Sequence, residues 1–190
     1  IVAIDGLLLD SDELIIVTCS HAGVNLVKEG SITTLATYAA NSVHIKYFAD
    51  IPLIILLVGT AAPRYNKILV YTTVPGENFK HSGTLLGHED WITGFSWDGT
   101  LLASASQDCK IRLWNFSTVF GEVTVDYDNT TSSTNSDDII EDNIDEEIEP
   151  EEDGEARLEI HHSTGVTRVT LEALLYGHEE GVTSVAWHPD

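Results

Sequence analysis

Hydrophobic positions along the chain fall into short runs broken by turn residues. The runs are 13–19 (ELIIVTC), 42–48 (SVHIKYF), 53–59 (LIILLVG), 67–73 (KILVYTT), 91–97 (WITGFSW), 101–106 (LLASAS), 110–115 (KIRLWN) and 170–176 (TLEALLY). Each is a few residues long, rich in β-branched and aromatic side chains, and bounded by Gly, Pro, Asn, Asp or Ser. Lys110, Ile111, Arg112, Leu113 and Trp114 alternate as a half-buried strand does, whereas 53–58 is apolar throughout, as in a strand buried on both faces. No window sustains a 3.6-residue period. The pattern predicts an all-β chain: a sandwich, a barrel or a propeller.

A repeat chooses among these. Gly87-His88-Glu89-Asp90-Trp91-Ile92-Thr93-Gly94-Phe95-Ser96-Trp97 recurs as Gly177-His178-Glu179-Glu180-Gly181-Val182-Thr183-Ser184-Val185-Ala186-Trp187, 90 residues later. The shared pattern is Gly-His-Glu, two variable positions, a β-branched aliphatic, Thr, three residues, Trp. Between the copies lie Ser104, Ser106 and Asp108 and a strand ending in Trp114. This arrangement resembles the WD repeat, whose period is about 40–45 residues. A spacing of 90 is one repeat plus roughly 50 extra residues. The resemblance implies a β-propeller, with His88, Ser106, Asp108 and Trp114 linked in one structural hydrogen-bond chain. Ser104, on the same strand face as Ser106, is the alternative bridge. Gly87, Gly177, His178 and Trp187 are the remaining signature positions. Ser, His and Asp together also suggest a catalytic set. Strand positions beside a Trp, with no G-x-S-x-G elbow, favour packing, so no catalytic residue is expected.

The upstream repeats are degenerate. Laid on Ser106–Trp114, residues 19–27 place His21 at the Asp108 position and Val27 at that of Trp114, and the second repeat ends in Tyr71. Blades are expected at 1–38, 41–88 and 91–177, the last interrupted at 117–168, with the first strand of a fourth at 181–190. That is an incomplete propeller of about three blades, and a ring needs about 4–8. The absence of Met, at position 1 as elsewhere, fits a piece of a longer protein.

Charge locates the extra residues. The chain of 190 residues carries nine Lys+Arg against 31 Asp+Glu, a net of −22. Residues 117–168 hold 16 acidic and two basic residues, a net of −14; the other 138 residues hold 15 and seven, a net of −8. Twelve of the 19 residues in 137–155 are acidic. Such a segment buries too little apolar surface to fold, so a disordered acidic insertion is expected. Extending a loop from about five to about fifty residues costs only about 2 kcal/mol, so excising 120–165 is expected to leave folding intact. A solvated loop, a tether for a basic partner, or a segment phosphorylated at Thr134 or Ser136 remain the readings of it.

The acidic balance excludes an electrostatic footprint for nucleic acid. The longest apolar run, 53–58, is far short of the roughly 20 residues that cross a bilayer. Two cysteines, Cys19 and Cys109, make no disulfide framework and fit a reducing compartment, cytoplasmic and also nuclear. No Gly-rich phosphate loop, calcium loop or zinc spacing is present, and His161-His162 lacks ligand partners at metal spacing. No cofactor or metal is expected.

The residues 87–92 and 102–114, followed by an insertion and then 170–179 (TLEALLYGHE), are similar to the central repeat of the Elongator subunit 2 family. That resemblance implies a non-catalytic scaffold with propeller domains. Its expected partners are the catalytic radical-SAM, acetyltransferase-like subunit and a large scaffold subunit of Elongator, which modifies wobble uridines of tRNA. The alternative is a WD-repeat adaptor in another assembly, such as a ubiquitin ligase or chromatin machinery.

Overall fold

A computed structural model describes residues 1–61, 66–120, 157–162 and 165–188. All its regular elements are strands. The first sheet runs β1 (Ala3–Leu8), β2 (Leu14–Ser20), β3 (Gly23–Lys28) and β4 (Ser31–Ala36) in that spatial order, each antiparallel to the next. The second holds β5 (Ala40–Phe48), β6 (Leu53–Thr60), β7 (Ile68–Thr73) and β8 (Lys80–Leu85), again in chain order. The third holds β9 (Ile92–Asp98), β10 (Leu101–Ser106), β11 (Ile111–Phe120), β12 (Arg157–His162) and β13 (Gly165–Leu175). Its order is β9-β10-β11-β13-β12. Each sheet has a register irregularity between its third strand and the next, at Val24/Asn25, Val70/Tyr71 and Leu113/Trp114. Three sheets built on one plan are three blades of a propeller.

The blades stack through apolar sheet faces. β6 is buried along its whole length because it is sandwiched. Its Ile54, Leu56 and Val58 pack with Ile15, Val17 and Cys19 of the first blade, and Leu53, Ile55 and Leu57 pack with Ile92, Leu102 and Trp114 of the third. That is why 53–58 reads as a continuous apolar run rather than an alternation. The first strands of the blades, β1, β5 and β9, lie side by side. Polar contacts tie them: the Ile45 amide donates to Asp5 Oδ2 at 2.9 Å, Ser42 Oγ to the Ile92 carbonyl at 3.1 Å, and Lys46 Nζ to the Gly99 carbonyl at 2.9 Å. Lys46 Nζ also sits 4.9 Å from the Trp97 ring centroid and 5.0 Å from that of Phe48, so its charge is held against two aromatic faces.

Two expectations change. The interruption at 117–168 is too wide, and 120–165 includes strand residues. β11 continues to Phe120, paired with β13 back to Gly165, and β12 adds a fifth strand on the far side of β13. β12 contributes Leu158 and Ile160, 4 % and 1 % exposed, to the core between the second and third blades. The acidic run and Thr134 and Ser136 lie outside the described residues. Residues 181–188, expected as a strand, form no ladder. They are held to the third blade instead: the Val182 amide donates to the Ser106 carbonyl at 2.9 Å, and Thr93 Oγ1 donates to the Val182 carbonyl at 2.6 Å. A strand needs a ladder partner, and none runs beside this segment among the described residues.

Candidate functional site: a buried His-Ser-Asp-Trp network

Two turns meet at one end of the third blade: the one entering β9, with Gly87 and His88, and the one between β10 and β11, with Asp108. His88 Nδ1 lies 2.8 Å from Asp108 Oδ2 and His88 Nε2 lies 2.8 Å from Ser104 Oγ. Trp114 Nε1 lies 3.0 Å from the same Ser104 oxygen. The side chains of His88 and Asp108 are 1 % and 2 % exposed, and Ser104 and Trp114 are fully buried.

The proton positions follow from the partners. Burial pushes the His88 ring below its usual range, against the pull of Asp108, so the ring is neutral. Burial alone would raise the Asp108 carboxyl, but the Glu89 amide, His88 and the Lys110 amide together hold it below the ordinary carboxylate value. Asp108 is therefore a carboxylate, and Nδ1–H of His88 donates to it. Nε2 must then accept from Ser104, whose oxygen accepts the indole N–H in turn. The chain runs in one direction, Trp114 to Ser104 to His88 to Asp108. Asp108 collects two further donors: the Glu89 amide on Oδ2 at 3.0 Å and the Lys110 amide on Oδ1 at 2.9 Å.

The bridge is Ser104, not Ser106. Trp114 pairs with Leu102 across the β10–β11 ladder, so its same-face diagonal neighbour is Ser104. Ser106 is one pleat further, about 7 Å along the strand. A register irregularity at Ala105/Ser106 sets it opposite Ile92. There its hydroxyl donates to the Asp90 carbonyl at 2.9 Å and accepts from the Asp108 amide at 3.1 Å. Ser106 ties the two turns together beside the main chain of bonds.

Arg112 is a residue that sequence reasoning missed. It is 8 % exposed, and its Nη2 donates to the Gly87 carbonyl. Gly87 has φ 128°, and a Cβ there would come within 2.8 Å of the Arg112 guanidinium carbon. The glycine gives both the backbone angle and the space for the arginine. The alternation in 110–114 puts Arg112 on the face of Trp114, and the ladder register sets it across from Ser104.

The other signature residues stand apart from this network. Gly177 repeats the backbone of Gly87, with φ 131°. His178 is exposed and makes no hydrogen bond among the described residues. Trp187 reaches back to β9, its amide donating to Ser96 Oγ and its indole to the Ser96 carbonyl, each at 3.1 Å. In the first blade Val27 faces Ile16 as Trp114 faces Leu102, but the β2–β3 turn is one residue shorter than that of the third blade. Ser20, rather than Cys19, therefore matches Ser106, and its Oγ likewise accepts the amide two residues on, at 3.1 Å. In the second blade Tyr71 faces Leu56 and meets the Tyr38 hydroxyl at 2.5 Å.

Ser104, His88 and Asp108 have the connectivity of a catalytic triad. A nucleophile must also meet its substrate. Ser104 has no exposed surface, and the Trp114 indole occupies its oxygen. What the arrangement can do is satisfy buried strand-end polar groups and lock two turns together.

Blades on one plan, with a strand-end aromatic at the same site in the second and third, have the architecture of WD-repeat propeller blades. The model of the WD domain, G-beta repeat, matches residues 79–115 and 169–190. The chain is similar to Elongator complex protein 2 of Danio rerio, 30 % identical over 205 aligned positions that cover 98 % of this chain and 21 % of the relative. It is 26 % identical to Elongator complex protein 2 of Schizosaccharomyces pombe over 94 % of this chain and 22 % of that protein. With Elongator complex protein 2 of Homo sapiens it shares 35 % identity over 60 % of this chain and 12 % of the relative. The chain spans about a fifth of the length of the two relatives that match it almost throughout.

Proposed function

We propose that the protein acts in the Elongator complex as a non-catalytic WD-repeat scaffold that supports wobble-uridine modification of tRNA. It does so through protein–protein contacts with the catalytic radical-SAM, acetyltransferase-like subunit and the large scaffold subunit, in the cytoplasm and in the nucleus. The observation that carries this reading is similarity to Elongator complex protein 2 along nearly the whole chain. The site supports it in kind: the cluster of Ser104, His88 and Asp108, with its catalytic connectivity, is sealed into a blade. Propeller blades present loops and edges on a rigid frame, which suits an assembly role.

The test is purification of the tagged full-length protein from its own cells, with wobble-uridine side chains measured after its deletion. Recovery of the two subunits and loss of the modification are expected. Normal modification after complete deletion would overturn the proposal, as would recovery of ubiquitin-ligase or chromatin partners alone.

A further inference from the structure

β12 does more than widen the third sheet. It lies outermost, paired residue for residue with β13 from Arg157 opposite Thr170 to His162 opposite Gly165. It also touches β8, the outer strand of the second blade. Leu158 is seated where β8 has a glycine: Gly83, φ 154°, has no side chain, and a Cβ there would overlap Leu158 Cδ1. Leu158 and Ile160 join Leu85 of β8 and Trp114 and Phe116 of β11 in one buried cluster. On the β13 side, Arg168 Nε lies 2.8 Å from Glu159 Oε1, and His162 Nε2 lies 3.1 Å from Thr167 Oγ1. A knob on one blade filling a hole in the next is the geometry of a joint, not of a loop stem.

We propose that β12 is a strap that locks the returning end of the acidic insertion onto the second blade, so that β12 and β8 open together. In the sequence the insertion ends where β12 begins, and the strap makes that junction part of the inter-blade core.

Native-state hydrogen exchange on the full-length protein tests this. Leu158→Ala should speed exchange at least tenfold at β12 amides and at the β8 amides bonded to β7, together. Replacing 122–155 by a short Gly/Ser bridge should leave both within about threefold. Faster exchange at β12 with β8 unchanged would overturn the strap, and so would equal acceleration by the bridge variant. In the unaltered protein, low denaturant should speed β8 and β12 exchange with one slope. Two separate slopes would overturn the proposal without any variant needing to fold.

Discussion

Trp114 and His88, 26 positions apart in the chain, are joined through one atom: the Ser104 oxygen accepts from Trp114 Nε1 at 3.0 Å and donates to His88 Nε2 at 2.8 Å. Removing that oxygen strands two buried ring nitrogens at once. Ser104→Ala should therefore destabilise the protein by about 2–6 kcal/mol, at about 1–3 kcal/mol for each of the two buried groups left unpaired. Ser106→Ala loses the bonds to the Asp90 carbonyl and the Asp108 amide, both nearer the surface, and should cost about 1–2 kcal/mol. Denaturant unfolding of the two variants reads the order. A larger loss for Ser106→Ala would contradict the assignment of Ser104 as the bridge.

Asp108 is the sink of the network. Its carboxylate accepts from the His88 ring and from the amides of Glu89 and Lys110. Asn at this position keeps one acceptor oxygen and turns the other into a donor facing an N–H. Asp108→Asn is expected to cost about 2–4 kcal/mol, the range for charge-assisted bonds replaced by an unmatched donor. Thermal unfolding checks it, and an unchanged Tm would show that the turn amides find other partners.

The same pair sets a pH dependence with one sign. The His88 ring is pushed below its usual pKa near 6.5, so below that pH the unfolded chain binds a proton that the native site refuses. Its contribution is intact above about pH 6.5 and is lost progressively on acidification. Asp108, lowered from its ordinary value, adds a loss at still lower pH, as the unfolded carboxyl takes up its proton first. His81 and His162 are also lowered by burial, so the wild-type slope alone does not isolate His88. A His88→Gln variant should have a lower Tm at pH 7.5 but a shallower decline of Tm between pH 7 and pH 5. Parallel declines would mean that His88 does not titrate on unfolding.

The second blade solves the same structural problem differently. Tyr71 stands at the strand-end position, its hydroxyl 2.5 Å from that of Tyr38, and its ring packs edge-on against His81 at 5.3 Å. Burial, then the bond to Tyr71, pushes the Tyr38 hydroxyl well above its usual pKa. It is therefore a neutral hydrogen-bonding group throughout the physiological range. A double-mutant cycle of Tyr38→Phe and Tyr71→Phe should return a coupling of about 0.5–1.5 kcal/mol. Strict additivity would show the contact to be idle.

Strands carrying their own apolar pattern were legible in the sequence, and strands borrowing order from a neighbour were not. β6 and β10 are buried almost throughout and stand out as apolar runs. β4 and β8 are outer strands rich in polar or small residues, and pairing with β3 and β7 makes them strands. Within the network, His88, Asp108 and Trp114 came from the repeat pattern. Its bridge did not, because Ser104 and Ser106 share a face, and only the ladder register says which one lies beside Trp114. The acidic composition of 117–168 masked the strand residues at both its ends: Val119 and Phe120 at one, and at the other Leu158 and Ile160, which alternate with Arg157, Glu159 and His161.

Those ends give the sharpest test of where the blade stops. Excising 122–155 removes 15 acidic residues and no residue of any described strand. The shorter loop should leave stability unchanged or raise it by about 1 kcal/mol through lower closure entropy. Excising 120–165 instead removes all of β12, the last residue of β11 and the first residue of β13. Leu158 and Ile160 leave the core, at about 1.5–3 kcal/mol for each buried aliphatic side chain, and Leu85, Trp114 and Phe116 lose neighbours in the same cluster. The expected loss is about 3–6 kcal/mol, read by denaturant unfolding of the full-length protein in parallel with the 122–155 variant. Equal stability of the two variants would place β12 outside the folded blade; a gap of that size would place it inside.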